Sequence, residues 1–170
     1  IVSNLLEFAR KPGVERRPID LSSLLADTSD LLRERLTARS VRLAYDRPDG
    51  AVRVIGSEGE LQQVFTNLML NAIDAMAPNG GTLSIAVERA ETVVRVAVAD
   101  EGPGIPPESR EAVFQPFFTT KRGAGGTGLG LSISYSIVEQ HGGHLAFENL
   151  APRGCRFTVE LPPAPEPEPG

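Results

Sequence analysis

Residues 67–76 read NLMLNAIDAM, and the placement of this stretch decides the fold. Its apolar residues recur at helical spacing and continue backwards through SEGELQQVFT, so one core-facing helix is expected from roughly Glu58 to Met76. At about 100° per residue, Leu61, Val64, Phe65, Leu68, Ala72 and Met76 fall on one side, the core stripe. Glu60, Gln63, Asn67, Asn71 and Asp74 form a second stripe beside it. A solvated face is the plain explanation, but solvated faces usually carry Lys, Glu and Arg. This one is rich in amides and holds no base. Neutral amide oxygens can ligate a hard cation that phosphate has already neutralised, which is the sharper explanation.

Outward from this helix, IVSNLLEFAR has helical spacing, and KPGVERRP stops it. Asp20 or Ser22 is expected to cap a second helix, LSSLLADTSDLLRERLTARS, with Leu21, Leu24, Leu25, Thr28, Leu31, Leu32 and Leu36 as its stripe. VRLAYD and AVRVIG are short strands around an RPDG turn, in the manner of a hairpin. TLSIAVERA and TVVRVAVAD alternate like strands and are expected to pair antiparallel. From Glu101 to Thr127 no period is sustained, as befits a functional loop or lid. GLGLSISYSIVEQHGG restarts a helix ending at Gly142, and HLAFENL and CRFTVELP are two more strands. PAPEPEPG cannot build a core, so residues 163–170 are expected to be a disordered tail. This order predicts an α+β two-layer sandwich, with a mixed, mostly antiparallel sheet, helices on one face and a lid at about 103–127.

The 170 residues suit one ordinary domain with a real core. A net charge of -5 without a basic stripe argues against nucleic acid and anionic membrane as general partners. The single cysteine, Cys155, cannot form an internal disulfide and fits a reducing, cytoplasmic setting. No apolar run approaches a membrane span, and no direct membrane contact is expected. The chain opens like mid-protein sequence, so it is expected to be a piece of a longer parent that could itself be membrane-anchored.

Two further segments carry chemistry. In VAVADEGPGIP a strand runs into Asp100, followed by Gly102 and Gly104. A turn is the plain explanation. The sharper one is a carboxylate at a pocket rim accepting from an exocyclic amine, with glycines that let a flat ring approach. In GTGLGLS, residues 126–132, Gly126, Gly128 and Gly130 lead into a helix whose free N–H groups suit phosphate, and Lys121 and Arg122 supply mobile charge. GAGGTG, residues 123–128, satisfies G-x-G-x-x-G formally. It follows FQPFFTTKR rather than a strand, so a dinucleotide fingerprint is rejected.

Together these pieces resemble the catalytic ATP-binding domain of sensor histidine kinases, in the Bergerat-fold superfamily shared with gyrase, Hsp90 and MutL. NLMLNAIDA resembles the N box, DEGPGIP the G1 box, FQPFFTTK the F box and GTGLGLS the G2 box, in that order. The resemblance covers about Asp20 to Pro162 and implies ATP and Mg²⁺ as cofactors. It implies that Asn71 ligates Mg²⁺ and Asn67 lines the same wall, with Asp74 in the same box. Asp100 would bind the adenine amino group, with Gly102, Gly104 and Ile105 shaping the ring slot. Phe114, Phe117 and Phe118 would anchor the lid, whose Thr119, Thr120, Lys121 and Arg122 would face nucleotide. Gly126, Thr127, Gly128, Leu129, Gly130 and Leu131 would wrap the phosphates.

Relatives that hydrolyse ATP usually place Glu where Asn67 stands, as general base. The amide favours phosphotransfer over hydrolysis. Glu60 is the other candidate base, almost two turns further from Asn71 than Asn67 is. Residues 1–17 resemble the end of the dimerisation and phosphoacceptor helix with its linker, and 18–162 the catalytic domain. His141 and His144 lack the acceptor pattern, His141 having the position of a structural histidine, so no catalytic histidine is expected within the chain. The implied activity is protein-histidine kinase, with a separate phosphoacceptor domain as partner and a response regulator downstream. NAIDAM resembles the nitrogen-regulation type, where others carry Lys in place of Asp74. A nucleotide-gated interaction module is the alternative, and a stand-alone ATPase a weaker one. A monomer is expected, with weak pairing through residues 1–9.

Overall fold

The computed structural model describes residues 14–116 and 130–166. Five strands form the main sheet: β2 (Val41–Asp46), β4 (Gly81–Arg89), β5 (Val94–Ala99), β6 (His144–Asn149) and β7 (Cys155–Leu161). Their order is β2-β4-β5-β7-β6, with β2 parallel to β4 and every other pair antiparallel. The sheet is therefore mixed and mostly antiparallel, as expected. Alternation sets its two faces. Leu83, Ile85, Val94, Val96, Val98, Leu145, Phe157, Val159 and Leu161 are buried on one, while Arg95, Ala97, Arg156, Thr158 and Glu160 remain partly exposed.

Helix α3 (Glu58–Ala75) lies on the apolar face between α1 (Leu21–Leu31) and α4 (Gly130–Gln140). Ser57 caps α3, its hydroxyl accepting from the Glu60 N–H at 3.4 Å. The expected stripe is buried, and Met69 and Ile73 are buried with it. A helix flanked by two others as well as a sheet needs a wider apolar arc than a surface helix. α4 ends as expected, with Gly142 at φ +74° and the Gly143 N–H donating to the Val138 carbonyl at 2.9 Å.

Three expectations are corrected. The second helix breaks at Leu32 into α1 and α2 (Arg33–Ala38), leaving Leu31 71% exposed instead of in a stripe. Thr28 and Ser29 donate their hydroxyls to the Leu24 and Leu25 carbonyls, each at 2.7 Å, and such back-bonding bends helices. VRLAYD and AVRVIG do not pair with each other. β3 (Arg53–Gly56) instead pairs antiparallel with β1 (Arg17–Asp20), a strand the sequence did not lead one to expect. The capping residue Asp20 explains the choice, because its carboxylate accepts from both the Ser22 N–H and the Val52 N–H, at 3.0 and 3.2 Å. Burial opposes its ionisation, but these bonds and the Ser22 and Ser23 hydroxyls hold its pKa below the usual value. The tail is placed through Glu166: Pro163 bridges Val54, and the Ala164 N–H donates to the Arg53 carbonyl at 2.8 Å. β3 presents an otherwise open edge, which this segment covers. Residues 1–13 and 167–170, with the expected helix remnant and the tail's end, lie outside the described residues.

Candidate functional site

Register brings the end of β5 and the β6–β7 hairpin tip together. Ala99 lies opposite Arg156, and Asn149 opposite Cys155. Asp100 follows β5 directly, is 7% exposed, and donates its N–H to the Cys155 carbonyl at 2.9 Å. Its carboxylate accepts from the Gly102 N–H at 2.8 Å. The loop that follows presses on α3, since a β-carbon on Gly102 would lie 2.7 Å from the Ala75 carbonyl oxygen. Asn71 precedes Ala75 by four residues and so shares its side of the helix. The Asp100 loop therefore packs against the end of α3 on the side of the helix that carries Asn71.

The two asparagines differ in their bonding. Asn67 donates from Nδ2 to the Gly130 carbonyl and the Ser134 hydroxyl, both at 3.3 Å. It ties α3 to the first turn of α4, whose opening residue was expected at the phosphates. Asn71 is half-buried, and among the described residues none hydrogen-bonds its side chain. Its amide oxygen is thus available to a ligand. Asp74 points towards α2, pairing with Arg35 at 3.0 Å. Glu60 lies 11 residues before Asn71, about 16 Å along the helix. Its carboxylate is 3.9 Å from His141 Nε2 instead.

His141 is buried, its Nδ1–H donating to the Ile137 carbonyl at 2.7 Å and its Nε2 accepting from the Ser57 N–H at 3.1 Å. Burial pushes its pKa below the ordinary value; Arg16 also lowers it, against the Ile137 bond and Glu60. The ring is neutral, so its proximity to Glu60 is not an ion pair. It has the structural role expected of it. Burial likewise pushes the Cys155 thiol up to about 12, which leaves it unreactive.

Phe114 packs against Tyr135, Phe147 and Phe157, at centroid distances of 5.2, 5.9 and 6.4 Å. The middle of the expected lid segment is thereby packed on α4, β6 and β7 at Phe114. Ile105 and Leu131 are half-buried against the core. Phe117, Phe118, Thr119, Thr120, Lys121, Arg122, Gly126, Thr127, Gly128 and Leu129 lie outside the described residues.

Asn149, Gly154 and Ser134 escaped sequence reasoning. Asn149 meets main-chain groups of Ile105 44 positions away, a pairing no local pattern reports. A surface cleft of about 620 Å³ lies elsewhere, between Arg89–Glu91 and Pro163–Glu166, and contains none of the candidate residues. Among the described residues no group of three His, Cys, Asp or Glu could hold a metal, and no helix is long and apolar enough to cross a membrane.

The sequence model of the family described as "Histidine kinase-, DNA gyrase B-, and HSP90-like ATPase" matches residues 56–165. Sensor histidine kinase ZraS of Escherichia coli O157:H7 is 36% identical over 162 residues, which are 95% of this chain and 35% of ZraS. The chain thus spans about a third of the length of that relative. Among solved structures, the catalytic domain of histidine kinase ThkA superposes with a TM-score of 0.78 at 36% identity, covering 89% of this chain and 99% of that domain. ThkA in complex with the response regulator TrrA gives 0.79 at 34%, over 97% of this chain and 47% of that one. ShkA in complex with AMPPNP gives 0.77 at 28%, over 96% and 35%.

Proposed function

The chain belongs to the family of histidine kinase-, DNA gyrase B- and HSP90-like ATPases, and from that premise we propose that it is the ATP-binding catalytic region of a sensor histidine kinase. It transfers the γ-phosphoryl group of Mg-ATP to an imidazole nitrogen on a separate helical domain, releasing ADP. The observation that carries this reading is the contact of Gly102 with Ala75, which sets the Asp100 loop beside the Asn71 stripe.

Each residue present suits its part. Asp100 is an acceptor at the rim, fixed by the Gly102 N–H and suited to an adenine amino group. Asn71 offers an oxygen without a partner among the described residues, which suits a cation that arrives with the nucleotide. Bound Mg²⁺ supplies charge neutralisation on the transferring phosphates. Asn67 ties the first turn of α4 to α3 through its bond to the Gly130 carbonyl, and as an amide it cannot act as a base. Asn67 and the remote Glu60 leave water without an activating carboxylate, so positioning an external imidazole is the chemistry these residues serve. His141 has both ring nitrogens engaged and is buried, which supports an acceptor outside the chain. Lys121 and Arg122 remain the proposed phosphate-facing cations. The phosphoacceptor domain of the same kinase and a response regulator are the proposed partners, in the cytoplasm.

Incubating the chain with its cognate acceptor domain and γ-labelled Mg-ATP tests the proposal. Acid-labile, base-stable label on the acceptor histidine is the expected result. Label released as free phosphate at the same rate with or without the acceptor would overturn it.

A further inference from the structure

We propose that Asn149 is a positioning residue for the nucleotide base: its carboxamide locks the loop from Asp100 to Ile105 into the shape that receives the purine. This rests on the reading of that loop as the base-binding loop.

Three contacts make the β6–β7 hairpin tip a bracket beneath the loop. At one end, the Asp100 N–H donates to the Cys155 carbonyl, and a β-carbon on Gly154 would stand 2.1 Å from the Asp100 carbonyl oxygen. At the other end Asn149 Oδ1 accepts from the Ile105 N–H at 2.8 Å, and Asn149 Nδ2 donates to the Ile105 carbonyl at 2.7 Å. Between them Gly104 adopts φ +81°, and a β-carbon there would lie 2.9 Å from Asn149 Oδ1. The glycine at 104 is therefore required by the bracket itself, whatever ring approaches from the other side.

The two-point contact selects a carboxamide of this length. Ile105 presents one donor and one acceptor together, and an amide answers both from a single planar group. A carboxylate in the same place accepts but cannot donate, and it faces the Ile105 carbonyl with like partial charge. Asn149→Asp therefore keeps the acceptor and loses the donor, and Asn149→Ala loses both.

The test is calorimetric titration of ADP and of IDP into wild-type protein, N149D and N149A, with Tm recorded for each. ADP is expected to bind each variant about fivefold more weakly than wild type, the worth of one loop-ordering bond, while IDP, which lacks the amine that the loop sets against Asp100, is expected to change by less than about twofold. ADP affinity unchanged in both variants, or ADP and IDP weakened by the same factor, would overturn the inference, since a purely structural defect has no reason to single out the amine. Wild-type protein that fails to bind ADP would remove the functional reading itself, a result distinguishable from either.

Discussion

Gly102 packs so closely on Ala75 that a β-carbon at 102 would stand 2.7 Å from the Ala75 carbonyl oxygen and 3.0 Å from its β-carbon. Two segments 27 residues apart are pressed together where the end of α3 meets the loop after β5. Gly102→Ala must push the loop away from the helix, because the obstacle is backbone and cannot rotate aside. We expect a loss of about 1–3 kcal/mol in urea unfolding, together with weakened nucleotide binding. Gly59 is the control: it lies in α3 with nothing within 4 Å of an added β-carbon. Gly59→Ala should stabilise by about 0.5–1 kcal/mol and leave binding alone.

The two asparagines of α3 separate by measurement. Asn67 donates to both Gly130 and Ser134, so Asn67→Ala is expected to cost about 1–2 kcal/mol of stability through two lost bonds. Asn71 has no such partners among the described residues, and Asn71→Ala should stay within about 0.5 kcal/mol of wild type. Nucleotide affinity should reverse the ranking in one respect. Only Asn71→Ala should erase the difference between titrations of ATP with and without Mg²⁺. An Asn71 variant with its Mg²⁺ dependence intact would remove this residue from the metal.

The strands, the main helices and the one-sided burial were legible because alternation and helical periodicity report directly on which face meets the core. Pairing partners were less so. VRLAYD and AVRVIG look like a hairpin until Asp20 is seen holding both the start of α1 and Val52, a tertiary bond with no local signature. The break at Leu32 depends on hydroxyls whose rotamers the pattern does not encode. In the site, Asn71, Asp100 and the glycines stood out by residue type and order. The bracket of Asn149 and Gly154 did not, because it acts on main-chain atoms of a distant loop. Gly102 and Gly104 were identified by position but for an incomplete reason: protein backbone and the Asn149 side chain already fill the space a side chain would need.

His141 makes stability depend on pH with a definite sign. Its pKa is lowered in the folded state, chiefly by burial, from an ordinary 6.5. Between those two values the unfolded chain binds more protons than the folded one, so stability rises with pH across that window. The contribution is complete above about pH 6.5 and is lost as pH falls towards the folded-state value. Protonation also removes the acceptor that receives the Ser57 N–H at the cap of α3. Arg16 opposes the charged ring and Glu60 favours it. Thermal unfolding followed from about pH 7.5 to 5.5 should show Tm falling. His141→Gln should lower the plateau and flatten that slope. A slope that persists in the variant would assign it to another group.

Asp100 offers the sharpest test of base recognition, because its charge and its acceptor character can be separated. Asp100→Asn keeps an oxygen for the Gly102 N–H at nearly the same position. The second oxygen becomes an NH₂ group, a donor facing the donor of an adenine amine. Two donors cannot bond, and the desolvated amine is left unsatisfied. ATP affinity is expected to fall at least about 100-fold, with little change in Tm. ITP carries a carbonyl where ATP carries the amine, so its affinity relative to ATP should rise in the variant. Calorimetry with both nucleotides on both proteins reads the ratio directly. An unchanged ATP-to-ITP preference would mean that the carboxylate does not face the base.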